Sequence, residues 1–500
     1  MPLPLAELVA TTDAVGATSA RKEKVALLAD LLRRADATEI EIAVGLIAGD
    51  PRQGRIGVGW ATVAALDIAP AADATHHIAD LDNLLSAVAS THGPGSKARR
   101  EILLGTFLER ATGAEVDFVR RLLVGELRQG ANAGIATDAV AKATDVPAAV
   151  LRRAVMLTGD LRVAARIAAA DGPVGLAAIG LEVGRPVLPM LASTSESVAA
   201  AAEELGFPVA VEWKLDGIRI QVHKDRDDVR LWTRGLNEIT DGLEHVTELV
   251  RRFPAERLVL DGEVLGINDD GTPIAFQDSV ANDASVRPYF FDVLHIDGVD
   301  LLDAPLSERR AKLAEIAGDS HVPGAIVNDL AAAEAVQRDA LGLRHEGVMV
   351  KAAGSPYQAG RRGKTWRKVK PVHTLDLVVL AVEHGSGRRQ GWLSNIHLGA
   401  RDPESTDGEF VMVGKTFKGM SDDVLRWQTQ RFRDLAIEDN GWVVTVRPEQ
   451  VVEIAIDGIQ RSTRYPGGVA LRFARVVRYR DDKVAGETNT IDDVRSVGGT

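Results

Sequence analysis

In the stretch Glu212-Trp213-Lys214-Leu215-Asp216-Gly217-Ile218-Arg219 a strand-like run, Pro208 to Trp213, ends in a lysine, and an Asp-Gly turn leads straight into a second run, IRIQV. Period-two alternation puts Ile218, Ile220 and Val222 on one face of that second strand and Arg219 and Gln221 on the other. A lysine amine attacks only in its deprotonated form, which nearby positive charge or desolvation favours. A solvated lysine on a surface hairpin would share the local pattern. Four fixed positions of Lys-x-Asp-Gly-x-Arg, however, arise by chance in only about 1 in 160,000 windows.

Downstream, further short motifs follow one another: Trp232-Thr233-Arg234-Gly235, Leu260-Asp261-Gly262-Glu263, Tyr289-Phe290-Phe291-Asp292, Glu346-Gly347-Val348-Met349-Val350-Lys351 and Trp366-Arg367-Lys368-Val369-Lys370. With GRPVLPMLA (184–192) ahead of the lysine and LRFAR (471–475) near the end, this ordered set resembles the ATP-dependent DNA ligases, within the covalent nucleotidyltransferases that also include RNA ligases and capping guanylyltransferases. The likeness is close over some 300 residues and looser over the first third.

The resemblance implies that Lys214 attacks the α-phosphate of ATP to give lysyl-AMP, and that Glu212 accepts a hydrogen bond from the adenine amine. Phe291 would stack on the purine, Glu263 would hold the ribose or a metal, and Arg219 and Arg234 would contact ribose and phosphate. Alone, Phe291 in YFFDVL reads as a core aromatic and Glu263 as an ion-pair partner; only the ordered set reverses that. Glu263 and Glu346 offer the hard oxygens that Mg²⁺, or Mn²⁺ in its place, prefers. The segment 361–370 carries six basic residues and no acid. Lys368 and Lys370 alternate with Val369, so they are expected on one strand face, where they would stabilise the α-phosphate, and Arg362 matches a further nucleotide contact. In LRFAR, Ala474 stands where the family usually has proline, which predicts a less rigid strand. Arg472 and Arg475 are the candidate pyrophosphate-orienting groups, because family members rotate their C-terminal barrel over the nucleotide for the first step.

Around these motifs the chain divides by period. From about residue 20 to 180 apolar residues recur at helical spacing, as in IADLDNLLSAVAS, with basic glycine turns at Arg52–Gly59 and Arg128–Gly134 whose backbone N–H groups suit phosphates. Prolines at Gly184–Ala192 break that pattern, and a second boundary falls near Lys370–His373. The expectation is a multidomain α+β protein: an all-α DNA-binding domain (1–184), a nucleotidyltransferase domain of antiparallel sheets with helices (185–372) and a C-terminal OB-fold β-barrel (373–500).

Composition sets the outer limits. Forty-five per cent hydrophobic and 26% charged residues are those of a folded globular chain. With no cysteine there is no thiolate zinc site, which also disfavours NAD⁺ as AMP donor, since NAD⁺-dependent ligases usually carry a cysteine zinc module. No apolar run spans a membrane and the start, MPLPLAELVATTDAVG, has no signal-peptide form, so the expectation is a cytoplasmic monomer that uses ATP and a divalent metal on nicked double-stranded DNA, in repair or replication. The formal charge of −12 makes any DNA contact a matter of local basic clusters. An RNA ligase, a capping-type guanylyltransferase and a non-catalytic nick-binding relative stay open as alternatives. The first two do not normally carry such a helical leader, and the intact Lys214, Glu263, Glu346, Lys368 and Lys370 speak against the third.

Overall fold

The computed structural model describes residues 2–54, 56–59, 62–63, 68–127, 130–268, 270–274, 286–358, 362–405 and 408–497, with backbone alone at 362, 363 and 388. These residues cluster into two compact units, Met1–Asp339 with Met349–Lys368, and Ala340–Val348 with Val369–Thr500. Among them no helix is long and apolar enough to cross a membrane.

The first unit begins with an all-α region. Its helices start where the sequence supplies caps: Asp36 accepts from the N–H groups of Thr38 and Glu39, Thr112 and Glu115 form a reciprocal capping box, and Asn132 caps Ala133–Ala143. Their apolar stripes meet in one core through Leu8, Leu28, Val44, Leu81, Val119 and Val140. The second glycine-rich stretch leads into a helix that opens at Ala133. Of the basic glycine turns, Arg55, Arg128 and Gln129 lie outside the described residues.

Two five-stranded sheets follow. Strands β1 (Leu191–Ser195), β2 (Val209–Lys214), β3 (Ile218–Asp225), β4 (Asp228–Thr233), β5 (Arg257–Gly266), β6 (Val286–Ile296), β7 (Val299–Asp300), β8 (Gly324–Val327), β9 (Gly347–Ala352) and β10 (Arg362–Val369) sort into the orders β1-β10-β9-β2-β8 and β4-β3-β5-β6-β7. Ile220 and Val222 face a core with Leu231, Leu260, Val293 and Leu313, as the alternation predicts. On the other face Gln221 exchanges two hydrogen bonds with the backbone of Val187. A third cluster draws Met156 and Leu157, from the helix Ala148–Thr158, together with Val187, Met190, Val259, Leu294, Tyr357 and Trp366.

The second unit corrects the expectation of an OB-fold barrel. Its strands are β11 (His373–His384), β12 (Leu393–Arg401), β13 (Phe410–Thr416), β14 (Ala436–Asp439), β15 (Val443–Val446), β16 (Val451–Ile456), β17 (Gly458–Arg461), β18 (Val469–Arg472) and β19 (Arg475–Tyr479). Long β11 pairs with β12 on one side and, on the other, first with β16 and then with β15. The seven-stranded sheet β13-β12-β11-β15-β14, with β16 and β19 branching from β11, stays open among the described residues, and β17 and β18 form a separate pair. The run ALRFARVVRY reads as one strand, yet Phe473 takes φ 53° and splits it into β18 and β19. Where closure would need a ladder, the described hydrogen bonds between β13 with its following turn and the start of β19 are Val476 N–H to Lys418 O (3.0 Å) and the Thr416 hydroxyl to Ala474 O (2.5 Å). The helix Asp422–Asp434 covers this sheet with Leu425 and Phe432.

Candidate active site

Lys214 ends β2 in one sheet, and β3 belongs to the other, so Leu215-Asp216-Gly217 is a crossing between sheets and not a hairpin turn. The crossing presses against β5: a Cβ at Gly217 would lie 2.2 Å from the Val264 carbonyl oxygen. That approach is why the motif needs glycine there. The Gly217 N–H donates to Glu263 Oε1 at 3.1 Å, which ties the nucleophile's turn to the Leu-Asp-Gly-Glu motif. Lys214 is half-buried, with Nζ 3.4 Å from the Leu215 carbonyl oxygen.

Burial raises the Glu263 carboxyl to about 7, against the opposing pull of the Lys214 charge, the Gly217 N–H and Arg219. Glu212 behaves in the opposite way. Its own burial would raise it, but Lys351 Nζ at 2.5 Å from Oε2 and Arg310 on Oε1 outweigh that and hold the carboxyl below its ordinary range. Each carboxylate oxygen keeps a second lone pair for a donor such as an adenine amine.

Arg219 is held more tightly than its motif suggests. It forms a bidentate pair with Asp261 (2.9 and 2.6 Å) and donates to Met190 O at 2.8 Å; burial pulls its pKa down, but Asp261 more than compensates and raises it. Tyr357 completes the cluster, donating to Asp261 Oδ2 (2.7 Å) and accepting from Met190 N–H (2.9 Å). Tyr357→Phe removes both bonds in a buried setting and should destabilise the fold by about 1–3 kcal/mol. Denaturant unfolding at constant m-value checks this, and an unchanged midpoint would refute the cluster's structural weight.

Phe291 on β6 stands half-buried among cations and rings. The Lys351 amine lies 4.7 Å and the Arg219 guanidinium 5.3 Å from its centroid, and Trp366 meets it edge-on at 6.1 Å. Glu212, Lys214, Arg219, Glu263 and Phe291 are thus gathered around one crossing by β2, β3, β5 and β6. Arg234 is exposed on the turn after β4, directly beyond Thr233, the partner of Ile220 in β3. Lys368 is half-buried on β10, where Val369 turns inward as the alternation requires. Lys370 lies past the end of that strand, in the second unit, and pairs with Glu346, with Asp457 at 3.8 Å. The Arg362 side chain lies outside the described residues. Arg472 ends β18; Arg475 opens β19, its guanidinium 3.7 Å from Asp457.

For a divalent cation, Glu263 offers a hard oxygen beside the nucleophile's turn, while Glu346 is committed to Lys370. Among the described residues no three His, Asp or Glu side chains form a cage. An ion such as Mg²⁺ takes one or two carboxylates and completes its shell with phosphate oxygens and water.

Sequence reasoning passed over Asp261, Arg310, Lys351 and Tyr357. Asp261 and Lys351 stood inside quoted motifs, and an acid two residues before Glu263 shares its strand face, a signal that was available. Nothing local marks Arg310 or Tyr357.

Residues 189–370 match the family described as ATP dependent DNA ligase domain, and 389–483 the ATP dependent DNA ligase C terminal region. Proteins named "Probable DNA ligase" from Rhodococcus opacus (strain B4) and Nocardioides sp. (strain ATCC BAA-499 / JS614) are each 52% identical, over 501 residues (98% of this chain, 99% of the relative) and 507 residues (99% of each). A solved structure, "Pmar-Lig_Pre.", superposes with a TM-score of 0.63 at 18% identity over 95% of this chain and 99% of its own, a likeness of fold. With the motifs in order, five of their side chains gathered at one crossing and relatives matched over nearly their whole length, the chain belongs to the ATP-dependent DNA ligase family.

Proposed function

We propose that this DNA ligase seals nicks in duplex DNA with Lys214 as its covalent AMP carrier. The observation that carries the assignment is the inter-sheet crossing, which sets the Lys214 amine between two sheets with Glu212, Glu263, Arg219 and Phe291 around it. In the first step Lys214 Nζ, having lost a proton, forms a bond to the α-phosphorus of ATP as the bond to the β-phosphate oxygen breaks and pyrophosphate leaves. A 5′-phosphate oxygen at the nick then takes the AMP, and the P–N bond breaks to return the lysine. Finally the 3′-hydroxyl attacks that 5′-phosphorus and AMP departs. Placement and charge neutralisation dominate such transfers.

In this reading Glu212, fixed by Arg310 and Lys351, accepts from the adenine amine, and Phe291 stacks on the purine. Arg219, locked to Asp261, shapes the ribose wall, and Arg234, Arg362, Lys368 and Lys370 serve the phosphates. Glu263 and Glu346 would hold Mg²⁺, or Mn²⁺, whose charge would offset that of the phosphate oxygens; Glu346 must first give up Lys370. The helical third, up to about residue 184, grips duplex DNA as part of a monomer, the adenylation part runs to about 372, and the remainder serves the first step. Arg52 is an unsuitable phosphate ligand, since Asp82 already takes its guanidinium in a bidentate pair.

Incubation with α-³²P-labelled ATP, GTP and NAD⁺ in turn, then denaturing electrophoresis, tests the donor. ATP alone should label the chain, and labelling by GTP instead would favour the capping-type alternative. Phe291→Ala should weaken ATP use by about 1–3 kcal/mol and Phe291→Leu by less, as base stacking on an aromatic ring predicts. Unchanged KM and adenylylation rate, with a fall in thermal stability, would make Phe291 a core residue only.

A further inference from the structure

Lys24, on the helix Arg21–Leu32, packs against the helix Ala133–Ala143 and is only 9% exposed. Among the described residues no hydrogen bond or ion pair engages its ammonium, so the stem is buried while the amine is left for an outside partner. The amine lies close to Gly130, just ahead of the second helix: a Cβ there would come within 2.5 Å of Nζ, and Gly130 itself sits at φ 69°. That positive φ favours glycine at 130.

The second helix opens at the same place. Asn132 caps it by accepting from Ile135 N–H, and the residues of its first turn, Ala133 and Gly134, are exposed. The N-terminal N–H groups of a helix lack intrahelical partners and carry its positive pole. Asp138, the acid one turn further on, is committed to Arg21 (2.7 Å) and Arg152 (2.5 Å). An unpaired ammonium and a helix's positive end therefore meet at an open surface with no counter-charge among the described residues.

We propose that Lys24, the Gly130 turn and the N-terminus of Ala133–Ala143 form a binding site for a backbone phosphate of the duplex beside the nick. The assignment rests on the DNA-binding reading of the helical third and adds a specific anion subsite to it. Arg21, whose exposed guanidinium also bonds the Gly134 carbonyl at 3.3 Å, braces the helix end beside it.

The test uses the full-length protein and a nicked duplex with a 3′-dideoxy end that cannot be sealed, with affinity measured over a potassium chloride series. Lys24→Met should weaken binding about tenfold at low salt and lower the log–log salt slope by about 0.9, the signature of one lost phosphate contact. It should leave lysyl-AMP formation without DNA unchanged and keep the thermal midpoint, because methionine retains the buried apolar stem. Lys24→Arg should restore part of the slope. Unchanged affinity and slope, or weaker binding with a lowered midpoint and the wild-type slope, would overturn the site. Hydrogen exchange on nick binding separates the two levels. Protection within residues 2–184 that spares 21–24 and 130–134 sinks the subsite alone, whereas no protection anywhere in 2–184 sinks the DNA-binding reading and the subsite with it. Inorganic phosphate binding with the same Lys24 dependence, while DNA affinity stays unchanged in Lys24→Met, would assign the site to a free anion instead.

Discussion

Lys214→Ala should abolish labelling of the protein by α-³²P-ATP while leaving the thermal midpoint within about 0.5 kcal/mol of wild type in stability. The side chain is half-buried at the end of β2, with its amine 3.4 Å from the Leu215 carbonyl oxygen, and it lies outside the apolar cores. Overall sealing with ATP should fall to background, since no other described amine ends a strand at the crossing that Gly217 and Glu263 define. Nicks carrying a pre-formed 5′-adenylate bypass the covalent step, and the variant should still seal them slowly. Lys214→Arg should behave alike, because a guanidinium stays protonated and cannot attack. Undiminished labelling of either variant would remove Lys214 from the mechanism, and loss of sealing on pre-adenylated nicks equal to the loss with ATP would give it a role beyond AMP transfer.

Much of this site was legible because its motifs are short and local. Arg219 and Glu263 lie on strands whose period-two alternation can be read from a few residues, and the structure sets them opposite each other across β3 and β5. What stayed hidden depends on distant pairing. The Asp-Gly turn looked like a hairpin, yet β2 and β3 enter different sheets, a choice settled by the partners β9 and β5 that each strand finds elsewhere in the chain. Arg219 looked like a free nucleotide contact, and its bonds to Asp261 and to the Met190 carbonyl depend on β5 and on the segment ahead of β1. The barrel failed for a backbone reason. ALRFARVVRY has unbroken strand chemistry, and only the positive φ of Phe473 tells that the ladder changes partner from β17 to β16 there. Side-chain periodicity carries no trace of such a dihedral.

That break bears on the pyrophosphate-orienting pair. Arg472 and Arg475 lie on separate strands, held by different ladders, with the left-handed Phe473 between them. Two guanidiniums flanking a fixed kink do not alternate as strand neighbours would, so both can be directed at one polyphosphate. Asp457, 3.7 Å from Arg475 and 3.8 Å from Lys370, links this kink to the last lysine of the nucleotide motifs within the same unit. Arg472→Ala with Arg475→Ala should therefore slow lysyl-AMP formation by about 10²- to 10³-fold, the scale of losing preorganised donors from a transition state. Sealing of pre-adenylated nicks involves no pyrophosphate and should change less than about threefold, since substitutions at half-exposed strand positions seldom reach further. Single-turnover rates for the two reactions, measured on one preparation, give the ratio directly. A structural role would slow both together, and equal losses in the two assays would reduce the pair to surface arginines that happen to border a kink.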